Sequence, residues 1–70
     1  MMYEGFEIKE VMENGTRWFG AFLNGRQLVN YTEFMGQCTG ATVPMLFLDE
    51  TNAKRTIRYL LKSGSVEEHL

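Results

Sequence analysis

Two Asn-Gly pairs, Asn14-Gly15 and Asn24-Gly25, bracket a single apolar run: Arg17, Trp18, Phe19, Gly20, Ala21, Phe22 and Leu23. Asn-Gly favours a two-residue hairpin turn because both central residues of a type I′ turn need φ > 0. Two such turns around one run make it the middle strand of an antiparallel meander. The flanking strands are then residues 5–12 and 26–31, and the turns fix the register. The first turn opposes Glu13 to Thr16, Met12 to Arg17, Val11 to Trp18 and Ile8 to Ala21. The second opposes Leu23 to Arg26, Phe22 to Gln27, Ala21 to Leu28, Gly20 to Val29 and Trp18 to Tyr31.

Side chains alternate between sheet faces with period two. One face of the expected sheet carries Phe6, Ile8, Phe19, Ala21, Leu23 and Leu28. The other carries Val11, Trp18, Phe22, Val29 and Tyr31, interleaved with Glu7, Lys9 and Gln27. Residues 32–42, with Gly36, Gly40 and several small polar residues, read as a connector, and residues 32–35 as a single helical turn. Residues 43–48 read as a fourth strand with Pro44 at its start.

Residues 50–63 read as a helix. Asp49 is placed to cap it, Gly64 to end it, and Glu50 precedes Lys54 in the favourable i,i+4 order. Ala53, Ile57, Leu60 and Leu61 line one face, which matches the Phe6, Ile8, Phe19, Ala21, Leu28 face of the sheet. The expected fold is α+β: a three- or four-stranded antiparallel meander with one C-terminal helix packed on one face. At 70 residues the chain forms one domain, and residues 65–70 read as a flexible tail.

This packing leaves Trp18, Tyr31, Phe22, Val29 and Val11 facing away from the helix. Such a patch suits a protein partner or a homodimer, since Trp and Tyr dominate binding hot spots. Gly20 would leave a shallow gap between Trp18 and Phe22 for an inserted side chain. A second candidate lies on the helix, where Lys54, Arg58 and Lys62 recur every four residues with Arg55 beside them. That edge would bind phosphates or an acidic surface. The acidic start of the chain, Glu4, Glu7, Glu10 and Glu13, weighs against nucleic acid and makes it the alternative partner.

No catalytic constellation emerges. Cys38 has no orienting base, because the single histidine, His69, lies in the tail. Cys38, His69 and Asp49 do not make a metal ligand set at any standard spacing, so no metal, cofactor or enzymatic activity is expected. One cysteine permits no internal disulfide, which fits a cytoplasmic compartment. There is no signal-peptide pattern and no apolar run of the ~20 residues needed to cross a bilayer.

The layout resembles short uncharacterised strand-strand-strand-helix proteins of bacteria and their phages. Tyr3, Glu4, Gly5, Phe6, Glu7 and Ile8 carry that resemblance, with Trp18, Leu48, Asp49, Glu50, Ala53, Lys54 and Ile57. It implies an accessory or regulatory role. The chain is also similar to the three-stranded-sheet-plus-helix DNA-binding domains of plant transcription factors and integrase arm-binding regions. Those read DNA through the sheet face away from the helix. Here only Lys9, Arg17 and Arg26 are basic on the strands, and Glu7 and Glu10 would oppose phosphates. The expected role is therefore a non-enzymatic binding or regulatory module.

Overall fold

The computed structural model describes residues 1–34 and 37–70, with side chains for 1–31 and 41–70. Four strands make one antiparallel sheet in chain order: β1 (Met2–Tyr3), β2 (Phe6–Glu13), β3 (Thr16–Leu23) and β4 (Arg26–Gln27). A separate two-stranded antiparallel ribbon follows, β5 (Val29–Phe34) with β6 (Gln37–Pro44). The helix α1 (Glu50–Ser63) packs on one face of the larger sheet, and a 3-10 turn (Val66–His69) comes after it. The chain is a small α+β fold with a four-stranded antiparallel sheet and one helix near the C-terminus.

The turns set the register as their chemistry dictates. Asn14 and Gly15 take φ of 51° and 79°, and Asn24 and Gly25 take 51° and 82°. Glu13 opposes Thr16, Val11 opposes Trp18, Ile8 opposes Ala21 and Phe22 opposes Gln27. A third turn of the same kind escaped the sequence reading. Glu4 and Gly5 take φ of 51° and 85°, turning β1 back onto β2 so that Tyr3 opposes Phe6. The fourth strand of the sheet is therefore β1, not residues 43–48. A glutamate in the left-handed region is strained, whereas asparagine tolerates it better. Glu4→Asn is expected to raise stability by up to about 1 kcal/mol, read as a rise in Tm.

The third strand departs from expectation after Leu28. Leu28 N donates to Ala21 O at 2.9 Å, continuing the ladder by one step. Val29 then pairs with Pro44 in the ribbon, and Tyr31 pairs with Thr42 rather than Trp18. The vacated edge of β3 is taken by Phe47: Phe19 N donates to Phe47 O and Phe47 N to Phe19 O, each at 2.8 Å. Met45 N donates to Leu28 O at 2.9 Å, so the chain leaves the sheet at Leu28 and returns beside it. The segment expected as a connector supplies part of both ribbon strands, which draw in residues 29–31 and 43–44 from the expected third and fourth strands, because Val29, Tyr31, Thr42 and Val43 are strong strand formers that find each other locally. Thr32 opposes Thr39, Gly40 and Ala41 between the paired steps, a bulge with a glycine in it. Thr32, Glu33 and Phe34 are strand rather than helical turn; Met35 and Gly36 lie outside the described residues.

Phe6, Ile8, Ala21, Leu28, Ala53, Ile57 and Leu60 are buried together, and Met45 joins them from the segment after the ribbon. Phe19 and Leu23 pack against this cluster. Leu61 does not belong to it: it is 44% exposed. Ala53, Ile57 and Leu60 follow the i, i+4, i+7 stripe, while Leu61 sits one step further round the helix. The caps are as the sequence suggests. Asp49 Oδ1 accepts from Asn52 N at 2.8 Å, and Gly64 takes φ 70°. Gly64 N donates to Leu61 O and Ser65 N to Leu60 O, the paired bonds of a Schellman motif.

Residues 65–70, expected to be a fraying tail, fold back on the domain. Val66 and Leu70 pack against the core. His69 Nδ1 lies 2.8 Å from Val29 O, and Arg26 donates to Leu70 O at 3.2 Å. The physical reason is two spaced apolar residues in a stretch whose polar composition hides them.

Candidate anion-binding groove

The helix brings the basic residues into one line. Lys54, Arg58 and Lys62 share an edge of α1, with Arg55 and Tyr59 one position round from it. The β1–β2 turn stands opposite and contributes Tyr3 and Glu4. Between them runs an open groove of about 960 Å³, completed by Thr51 and Leu61. Lys54 Nζ lies 5.7 Å from the centroid of the Tyr3 ring, a cation–π contact that takes the place of the expected pair with Glu50.

Electrostatics separate this groove from the acidic strand. Among the described residues the ion pairs are Lys9–Glu7 at 3.7 Å and Arg17–Glu10 at 3.6 Å, both on the sheet. Their side chains are half-exposed, so each pair contributes at most about 1 kcal/mol. Their consequence is local neutralisation of Glu7 and Glu10. Among the described residues Lys54, Arg55, Arg58 and Lys62 have no such carboxylate partner, and Glu4 is the one acidic side chain lining their groove. Four cations against one carboxylate in a concave surface attract anions.

The aromatic sheet face assembles only in part. Val11 opposes Trp18, and both are half-buried, as is Phe22. Tyr31 and Val29 leave with the ribbon, so the Trp18–Tyr31 pair does not form. The gap expected at Gly20 is filled. A Cβ built there would lie 2.8 Å from Gln27 Nε2 and 3.0 Å from Phe22 Cε1. Gln27 Nε2 is buried without a hydrogen-bond partner. Lys9 Nζ covers the Phe22 ring at 4.4 Å.

Among the described residues no group of three His, Cys, Asp or Glu side chains is placed to hold a metal ion. No helix among them is long and apolar enough to cross a membrane. The Cys38 side chain lies outside the described residues.

Both aromatic residues of the groove, Tyr3 and Tyr59, were missed by the sequence reading. Tyr59 stands four residues after Arg55 and one after Arg58, so its place on the basic edge was legible from helical spacing. Tyr3 was not, because its position depends on the Glu4-Gly5 turn. A comparison with protein-family models, curated proteins and solved structures returns no match.

Proposed function

We propose that this protein is a small non-enzymatic binding module that holds an anionic partner in the groove between α1 and the β1–β2 turn. The observation that supports this is the convergence of Lys54, Arg55, Arg58 and Lys62 on one groove, without carboxylate pairing among the described residues. The acidic strand, which weighs against nucleic acid, carries Lys9 beside Glu7 and Arg17 beside Glu10. An accessory or regulatory role in the cytoplasm fits a module of this size with a lone cysteine.

A second reading, a protein partner or second copy on the sheet face, is favoured by the half-buried Val11–Trp18 pair. Two variants separate these readings. Lys54, Arg58 and Lys62 changed together to Gln should weaken binding of inorganic polyphosphate by at least about tenfold, roughly 1.4 kcal/mol. The exposed or half-exposed positions of these residues mean that Tm should hold. Unchanged polyphosphate affinity in the triple variant would remove the groove as the site. Association that survives this variant and is lost in Trp18→Ala would move the function to the sheet face.

A further inference from the structure

We infer that the anion suited to this groove is a single strand of nucleic acid, an inference that rests on the groove being the binding site. Successive members of the Lys54, Arg58, Lys62 row are separated by four residues, about 6 Å along the helix axis. That is of the order of the distance between neighbouring phosphates on a nucleic-acid backbone, so one strand can meet the row cation by cation. Arg55 adds a planar donor fork beside it, suited to phosphate oxygens.

The tyrosines decide between kinds of polyanion. Tyr59 is 62% exposed in the groove beside the cations, and Tyr3 presents its ring to Lys54 across it. An acidic peptide would use the cations and leave the rings idle. A duplex would offer phosphates but keep its bases stacked inside. A single strand uses both, with the backbone on the cations and an unstacked base on the exposed Tyr59 ring, the general pattern of sequence-tolerant single-strand binding. The net charge of −2 is unevenly spread: Glu7 and Glu10 lie on the sheet with Lys9 and Arg17, while Lys54, Arg55, Arg58 and Lys62 line the groove with Glu4.

The test uses the whole chain with an oligothymidine of about ten nucleotides and inorganic polyphosphate of matched charge at the same salt. The oligonucleotide should bind more tightly. Tyr59→Ala should weaken oligothymidine binding roughly five- to a hundredfold and leave polyphosphate binding unchanged, while Tyr59→Phe keeps both. Tyr59 is exposed, so the melting curve of Tyr59→Ala should match the parent's. Equal binding of the two probes, or equal loss of both in Tyr59→Ala, would overturn the single-strand inference while leaving the anion groove standing. Tighter binding of the matching duplex, or of polyglutamate, would overturn it as well. Failure of every polyanion to bind would defeat the groove itself, and the inference with it.

Discussion

Replacing Ile57 with alanine is expected to destabilise the protein by about 2–5 kcal/mol. Ile57 is fully buried and sits at the centre of the stripe that α1 lays on the sheet, among Phe6, Ile8, Ala21 and Leu28. A 70-residue domain has a total stability of only about 4–10 kcal/mol at the usual value per residue. The loss should therefore lower Tm by about 8 °C or more, and it leaves part of the population unfolded if the cost is at the upper end. Leu61→Ala is the control, because it removes a similar volume four residues along the same helix. Leu61 is 44% exposed and should cost well under 1 kcal/mol. If Leu61→Ala destabilised the domain as much as Ile57→Ala, the helix would be docked one step round from the position described.

The second large effect concerns the C-terminal turn. Val66 and Leu70 each cover part of the core from the edge, and their backbone neighbours are held by the His69–Val29 and Arg26–Leu70 contacts. Changing both to serine should cost about 2 kcal/mol, since each loses about half of the burial free energy of an aliphatic side chain. The accompanying sign is faster amide exchange at Leu28 and Met45, whose bonds hold the crossing between sheet and ribbon. An unchanged Tm in this double variant would mean that the turn contributes nothing and that residues 65–70 behave as a free tail.

What the sequence made legible was local. Asn14-Gly15 and Asn24-Gly25 encode their own turns, so β2, β3 and their register follow from four residues. Asp49 and Gly64 likewise mark the ends of α1. What it concealed was the choice of partner for the outer edge of β3. Tyr31 and Phe47 are both aromatic residues in strand-forming surroundings, and period-two patterning does not rank them. The competition is settled non-locally: Val29 and Tyr31 gain a partner in Pro44 and Thr42 close by in the chain, and Phe47 then closes the edge.

The candidate site divides in the same way. Helical spacing alone placed Lys54, Arg55, Arg58 and Lys62 together, and the structure keeps them together. The aromatic cluster needed a strand pairing that does not occur, so Trp18 and Val11 stay adjacent while Tyr31 and Val29 move away. The acidic strand is less isolated than its sequence position alone conveys. Lys9 two residues from Glu7 and Arg17 across the hairpin from Glu10 each come within ion-pair distance of their glutamate, a pairing that composition alone does not specify.

The measurement that bears most directly on the anion groove is a residue-by-residue map of amide chemical shifts during titration with inorganic polyphosphate. The shifts should concentrate at Tyr3, Lys54, Arg55, Arg58, Tyr59 and Lys62 and weaken as salt rises, because counterions compete for the same cations. Shifts centred instead on Val11, Trp18 and Phe22, or a titration that leaves α1 unmoved, would contradict the groove as the working surface of this protein.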